Sequence, residues 1–307
     1  MNPIKGIALK LAAVTLFVIM SSLIKVSADH VPPGEAVFFR SFFALWVIVA
    51  WLWLRGDLDT GLKVESKMGH FWRGFVGTAA MGMMFTGLGL LPLPEVTAIG
   101  FATPIMVVIF AAMFLNERVG IFRLGAVALG LVGVLIVLSP RMTAFSGEVV
   151  ETAQAAGAVI VLMGAVFAAL AQIYIRKLVA TEQTSAIVFY FSITSTVLSL
   201  LTLPFGWVMP SPYETSLLVL AGLIGGLAQI CLTSAYRYAD ASVVAPFDYA
   251  AMLLALAIGY FIFSEPPTVT MLLGASLVIA AGLIIILRES WLGLERGRSR
   301  KNVTPQG

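Results

Sequence analysis

Long apolar stretches recur along the whole of this 307-residue chain and restrict what it can fold into. A helix needs about 20 predominantly apolar residues to cross the hydrocarbon core of a bilayer, where every backbone polar group must be satisfied internally. Only 11% of the residues are charged, against about 25% in a typical soluble domain. The sequence therefore predicts an all-α integral membrane protein rather than a barrel, whose strands would alternate polar and apolar residues.

The apolar stretches number ten, and short segments rich in charge, Gly and Pro separate them. They cover about residues 6–26, 34–54, 71–91, 95–115, 121–139, 157–177, 184–204, 215–236, 241–263 and 268–288. Separators such as LPLPE, NERVG and SEPPT are typical of the turns between helices. We therefore predict ten transmembrane helices.

Lys and Arg are distributed very unevenly between the two sets of loops. With the N-terminus in the cytoplasm, sixteen of the nineteen cations fall on the cytoplasmic side, two on the outer side and Arg40 within a span. Because cationic loops are retained in the cytoplasm, the pattern predicts a multi-pass protein of the inner (cytoplasmic) membrane with both termini cytoplasmic. Residues 291–307 form a basic cytoplasmic tail. The lipid bilayer accounts for these cations, so we expect no nucleic-acid partner, and a homodimer remains open.

Two long segments read alike at a spacing near 148 residues. Residues 91–138 and 238–287 each contain a polar break, an apolar helix, an acidic turn at Glu117 or Glu265, and a Gly-rich helix. This spacing is about half the chain, so each half would hold five spans. An odd number of spans forces the second half to enter the membrane in the opposite direction. We predict two inverted five-helix repeats, residues 1–145 and 146–290, with a binding site at the midplane between them.

The segments ATPIMVVIFAAMFLNERVG and PFDYAAMLLALAIGYFIFSEPP, with FFRSFFALWVI in span 2, resemble ten-span EamA-type members of the drug/metabolite transporter superfamily. The resemblance covers about residues 5–290. It implies secondary active transport of a small organic metabolite by alternating access, without ATP or another cofactor. Similar proteins include riboflavin uptake carriers, S-adenosylmethionine carriers and exporters of amino acids or amines. Among these substrates we expect a vitamin, riboflavin first.

Two ionisable side chains lie well inside the predicted spans, Arg40 in span 2 and Asp248 in span 9. An Asp at the centre of a membrane helix costs about 2.5–3.5 kcal/mol on insertion scales, so it normally faces a cavity or a partner. Asp248 is interpreted as a partner for a substrate ammonium group or as a proton carrier; the alternative is a hydrogen bond to a neighbouring helix. Arg40 would anchor a carboxylate, phosphate or carbonyl group, or else extend to the lipid headgroups.

Five further residues are candidates for the binding site. Gln172, Gln229 and Tyr249 lie near the middle of spans, where they can bind a substrate or a neighbouring helix. Trp72 can stack on a planar substrate or belong to the interfacial aromatic belt. Glu95 is a second candidate for proton coupling, although a carboxylate at the start of a helix also interacts favourably with the helix dipole. Glu117 and Glu265 are expected to cap helices or pair at the lipid interface.

Two other functional classes are less consistent with this pattern. An intramembrane enzyme would need clustered metal ligands or a second carboxylate within a span, but His30 and His70 lie near span ends and Cys231 is the single cysteine. A channel would show rings of charge or filter loops. We therefore expect no enzymatic activity, no metal site and no cofactor.

The cation distribution yields a test of orientation. A reporter that is active only in the periplasm should remain silent when fused to the C-terminus, because ten spans return the chain to the cytoplasm. A cytoplasmic reporter at the same position should be active. The reverse pair of results would contradict the ten-span prediction.

Overall fold

The computed structural model describes residues 3–58, 60–115, 121–142, 149–238, 247–248, 250–281, 283–284 and 287. Within this part of the chain the structure is helical, with short connections and no strand. The helices are α1 (Pro3–Ser27), α2 (Pro33–Arg55), α3 (Lys67–Leu90), α4 (Leu93–Gly100), α5 (Ala102–Leu115), α6 (Ile121–Met142), α7 (Val149–Val179), α8 (Thr184–Leu200), α9 (Pro212–Tyr238), α10 (Ala250–Phe261) and α11 (Val269–Ala281). A short 3₁₀ helix, Leu203–Phe205, precedes α9.

The apolar composition of these helices confirms the all-helical membrane class. Among the described residues, four helices are long and apolar enough to cross a bilayer, namely α1, α2, α7 and α9. Shorter apolar helices occupy most of the remaining predicted segments, so each of the ten segments contains helical residues. Glu117 and the tail 291–307 lie outside the described residues.

The fourth predicted segment is divided, which the apolar pattern did not reveal. Helix α4 ends at Gly100 and α5 begins at Ala102, with Phe101 between them. Pro104 in the first turn of α5 has no backbone N–H, so it cannot donate to the Gly100 carbonyl, and a continuous helix would lose a hydrogen bond there. In the second half of the chain α10 begins at Ala250, 148 residues after Ala102. This offset equals the spacing of the sequence repeat.

Close helix pairs hold the bundle together. Helix α1 lies along α9 and α3 lies along α7, while α2 packs against α8 and α9, and α4 contacts α10. Helices α6 and α11 touch through their backbones, because a Cβ built on Gly133 would lie 2.8 Å from the carbonyl oxygen of Gly274. Small residues at helix contacts allow such approach in membranes, where close packing rather than hydrophobic exclusion drives association.

Two cations assigned by sequence to the cytoplasmic ends of spans lie inside the bundle instead. Lys10 on α1 is 2% exposed and Arg73 on α3 is 4% exposed. Both belong to the early turns of apolar helices, where sequence position alone does not show which way a side chain points. Without them, fourteen of the sixteen cations remain on the predicted cytoplasmic side. The predicted cytoplasmic side therefore still carries far more cations than the outer side.

An ion pair at the predicted outer side connects both halves of the chain. The Lys25 ammonium lies 3.0 Å from a Glu265 carboxylate oxygen and donates to the carbonyls of Leu88 (3.1 Å) and Leu91 (2.8 Å). The other Glu265 oxygen accepts a hydrogen bond of 2.9 Å from the backbone N–H of Leu93, at the start of α4. The predicted role of Glu265 in capping and pairing is thus confirmed.

Replacing Glu265 should loosen this connection. Glu265→Gln keeps an oxygen for the Leu93 amide but removes the charge beside Lys25, so we expect a loss of about 1–3 kcal/mol in stability, seen as a lower melting temperature in detergent. Asp57→Asn is the control, because Asp57 is 42% exposed and pairs at 3.4 Å with an Arg55 that is 57% exposed. Such exposed pairs contribute little. Equal shifts for the two variants would contradict the structural role of Glu265.

Candidate functional site

A cavity of about 290 Å³ lies between helices from both halves of the chain. Its volume is near the lower end of the range for small-molecule sites, about 300–1,000 Å³. The wall is mainly apolar and aromatic, with a few polar side chains. It is formed by Val14, Phe17, Val18 and Ser21 of α1, Met84, Phe85 and Leu88 of α3, Leu93, Val96, Thr97 and Gly100 of α4, Phe101, Thr103 and Pro104, Ala168 and Gln172 of α7, and Asp248 and Ala251.

The break between α4 and α5 forms part of this wall. Gly100, Phe101, Thr103 and Pro104 all line the cavity. Interrupted membrane helices expose backbone polar groups and helix ends, which are frequent substrate and ion contacts in secondary transporters. The division of the fourth segment therefore places the end of one helix and the start of the next beside the cavity.

Asp248 lines the cavity with its carboxylate held by a lysine. The Lys10 ammonium lies 2.7 Å from Oδ1 of Asp248 and 5.3 Å from the centre of the Tyr236 ring on α9. The side chain of Lys10 is 2% exposed, whereas that of Asp248 is 34% exposed. Asp248 thus stands between the buried ammonium and the cavity. The cavity wall therefore contains a carboxylate whose counter-charge, the Lys10 ammonium, is buried behind it.

Comparison with known proteins assigns the family. The profile of the EamA-like transporter family matches residues 4–139 and 155–287, most of the chain. This protein belongs to the EamA-like transporter family. The family lies within the drug/metabolite transporter superfamily that the sequence segments resembled, so that prediction is confirmed.

Relatives with transporter names extend across most of this EamA-like protein. The S-adenosylmethionine uptake transporter of Rickettsia felis is 30% identical over 87% of this chain and 86% of its own length. The pseudopaline exporter of Pseudomonas aeruginosa is 28% identical over 90% and 94%. The riboflavin transporter of Rhizobium johnstonii is 27% identical over 84% and 82%. These relatives support small-molecule transport.

A solved crystal structure shares the fold. It has a TM-score of 0.66 and 18% identity to this chain, and the match covers 94% of this chain and 98% of the solved one. At this level of identity the likeness shows the fold alone.

The other candidates are divided between the cavity and its surroundings. Gln172 lines the cavity, as do the aromatic residues Phe85 and Phe101. Gln229 is buried on α9 but does not contribute to the lining. Glu95 is buried in the first turn of α4, which agrees with an interaction at the start of a helix.

Trp72 does not line this cavity. It is 43% exposed and forms an edge-to-face contact with Phe75, their ring centres being 6.0 Å apart. This position on the outer surface fits the aromatic belt that was its alternative interpretation. Tyr249 lies outside the described residues.

Arg40 lies inside the bundle, away from the cavity wall. It is 2% exposed, and its guanidinium carbon is 5.3 Å from the centre of the Phe191 ring on α8. The interpretation in which Arg40 extends to the headgroups is therefore wrong, because α8 and α9 enclose it. Arg40 does not pair with Asp248 either. Helix α2 packs on α8 and α9, whereas α10, which follows Asp248, packs on α1 and α4.

Lys10 was not among the predicted site residues. Its sequence signal was its position five residues inside the first apolar segment, together with a charge opposite to that of Asp248. More than 230 residues separate the two in sequence, and only the packing of the first and last thirds of the chain brings them together. The opposite charges alone could not have selected this pair over Arg40 and Asp248.

The ion pair makes a specific prediction about stability. Asp248→Asn should lower the melting temperature, since it leaves the Lys10 ammonium buried without a counter-charge. The loss in the free energy of unfolding should fall below the roughly 3–5 kcal/mol that is typical of fully buried pairs, because Asp248 is partly exposed. The double variant Lys10→Met/Asp248→Asn should recover most of it, since no uncompensated charge remains.

A neighbouring lysine provides the control for this test. Lys5 lies on the same helix and places its ammonium 4.1 Å from the centre of the Tyr238 ring, but its side chain is exposed. Lys5→Met should change the melting temperature little and should not rescue Asp248→Asn. An additive double variant of Lys10 and Asp248 would show that the two side chains are not coupled.

Proposed function

We propose that this protein is a secondary active transporter that moves a small organic metabolite across the cytoplasmic membrane by alternating access. The cavity that contains Asp248 carries the proposal, because helices from both halves of the chain line it and its wall holds a carboxylate that is paired with the buried Lys10. An ionisable group at such a position in a membrane protein is typical of substrate or ion pathways. The transporter names of the relatives agree with this function.

We infer that ten spans form two inverted repeats. Three observations support this inference. The family profile matches the chain twice, once in each half, and α5 and α10 begin 148 residues apart. The packing is also symmetric, since exchanging the first and second sets of five spans converts the α1–α9 contact into the α7–α3 contact. A repeat of this kind provides two equivalent arrangements, which alternating access requires.

Ionic and hydrogen-bonded contacts join the two halves of the chain on both predicted sides of the bundle. On the outer side, Lys25 of α1 pairs with Glu265. On the cytoplasmic side, Glu182 accepts hydrogen bonds from the backbone N–H groups of Glu65 and Ser66. We infer that alternating access breaks the contacts of one side while those of the other side hold.

The cavity wall favours a substrate with a planar ring and a positive group. Phe17, Phe85 and Phe101 can contact an aromatic ring system, which suits both riboflavin and S-adenosylmethionine. The exposed part of the Asp248 carboxylate additionally suits a cationic group, which S-adenosylmethionine has and neutral riboflavin lacks. We therefore propose an S-adenosylmethionine-type substrate first, with riboflavin and an exported amino acid or amine as alternatives.

Uptake into proteoliposomes tests the proposed function. We expect uptake of labelled S-adenosylmethionine to saturate and to increase when unlabelled substrate is preloaded inside the vesicles, because a carrier exchanges substrate and a channel does not. Asp248→Asn should weaken binding at every pH if Asp248 pairs with the substrate cation. If Asp248 instead carries a proton, the variant should lose the pH dependence of net uptake and keep its affinity.

Two controls complete the transport experiment. Asp57→Asn removes an exposed carboxylate outside the cavity and should transport like the wild type. Riboflavin and an amino-acid mixture should be offered in parallel as labelled substrates. Transport of none of these solutes by well-folded protein would refute the proposed substrate range, and non-saturable flux would refute the carrier mechanism.

A further inference from the structure

Two buried arginines from neighbouring helices meet at one aromatic ring. Arg40 of α2 and Arg73 of α3 are 2% and 4% exposed. Their guanidinium carbons lie 5.3 Å and 4.0 Å from the centre of the Phe191 ring. The sum of these distances, about 9 Å, is therefore the upper limit for the separation of the two charges. The face of an aromatic ring attracts a cation, but such a contact contributes only about 2 kcal/mol even when it is desolvated.

Two of the three guanidinium nitrogens of each arginine lack hydrogen-bond partners in the described part of the chain. The Nε and Nη1 atoms of both Arg40 and Arg73 are buried without a hydrogen bond, and no ion pair there involves either residue. A buried charge without a partner costs several kcal/mol. Two adjacent charges of the same sign add their mutual repulsion to that cost. A structure that keeps both arginines needs a compensating anion at this place.

Glu182, a carboxylate near the start of α3, already has other partners. Glu182 lies 3.5 Å from His70, which precedes Arg73 by about one turn of α3. The same Glu182 oxygen accepts hydrogen bonds from the backbone N–H groups of Glu65 (2.9 Å) and Ser66 (2.8 Å). Glu182 therefore stabilises the turn before α3 and does not neutralise the arginine pair.

Glycines make the space that the guanidinium groups occupy. A Cβ built on Gly77 would collide with Nη1 of Arg73 and would lie 2.8 Å from the Phe191 ring. A Cβ on Gly225 of α9 would lie 3.1 Å from Nε of Arg40. Larger side chains at these positions would displace the arginines, so the backbone on two helices is shaped around them.

We propose that Arg40 and Arg73, together with Phe191, form a binding site for an oxyanion group of the transported metabolite, either a carboxylate or a phosphate. The proposal deepens the proposed function and rests on it, because it assigns the substrate a negative group in addition to the positive group that faces Asp248. The planar guanidinium group can donate two parallel hydrogen bonds to two oxygens of one carboxylate or phosphate. The site should therefore prefer these oxyanions to a spherical ion such as chloride. Neither arginine lines the cavity of Asp248, but α1 and α3 border both places.

Anion-dependent stability of the purified protein tests this site without a transport assay. The melting temperature in detergent is measured while acetate or inorganic phosphate replaces chloride at constant ionic strength. We expect at least one of the two oxyanions to raise the wild-type melting temperature in a saturable manner, since a ligand that binds only the folded state stabilises it. The more effective anion identifies the class of the group, carboxylate or phosphate.

Substitution of the arginines should remove this response. Arg40→Gln and Arg73→Gln should each raise the concentration for half-maximal stabilisation by about tenfold to a hundredfold, the range for losing a charged hydrogen bond. Arg40→Lys and Arg73→Lys keep the charge but lose the planar fork, so they should bind more weakly than the wild type. They also serve as the test if the glutamine variants do not fold.

Arg55 supplies the matched control. Its guanidinium carbon also lies near an aromatic ring, 5.1 Å from the centre of Trp51, but Arg55 is 57% exposed and contacts Asp57. Arg55→Gln should leave the oxyanion response unchanged. A wild type that responds no more to acetate or phosphate than to chloride would overturn the proposal, and so would arginine variants that keep the full response.

Vesicle uptake separates this inference from the proposed function. Oxyanion binding that depends on Arg40 and Arg73 supports the site even if no tested metabolite is transported, and in that case only the transport proposal fails. Transport of a carboxylate-bearing metabolite at wild-type rate and affinity by Arg40→Lys and Arg73→Gln would overturn the site and leave the transport function intact.

Discussion

Compensation of charge inside an apolar bundle is the constraint on which this structure depends. A lipid-embedded helix gains from every apolar side chain, and an ionised group enters it only with a partner or a polar cavity. Lys10 meets Asp248 at 2.7 Å, and Lys25 meets Glu265 at 3.0 Å. Each pair joins the first helix to the part of the chain around α10. The two pairs therefore connect the first helix to the last third of the chain, and the first pair lies at the cavity wall.

Backbone proximity makes these charge arrangements possible. In a membrane, helices associate through close packing because lipid tails are as apolar as the side chains that they would replace. The glycines of α3, α6, α9 and α11 permit that approach, and at Gly77 the absent side chain leaves room for the Arg73 guanidinium. The same closeness brings Phe191 against two arginines. The helix packing thus determines which charged side chains come into contact.

Much of the fold could be predicted from the sequence, but less of the site could. The ten apolar segments, the repeat spacing and the structural role of Glu265 follow from patterns local to a span or shared between two spans. Asp248 and Gln172 were identified as polar residues in apolar segments, and both line the cavity. Trp72 was selected on residue type alone and lies on the outer surface. Residue type does not reveal which face of a helix is covered.

The sequence by itself determined that this chain is a helical membrane protein of the EamA-like family, because hydrophobic length and repeated motifs are linear properties. The tertiary structure decided the partners of the charges. Lys10 rather than Arg40 reaches Asp248, and Arg40 meets Arg73 beside Phe191. Such pairings depend on helix rotation and on contacts between segments far apart in sequence. A side chain only a few ångströms long interacts with what packing places beside it, and the order of residues along one helix does not specify that neighbour.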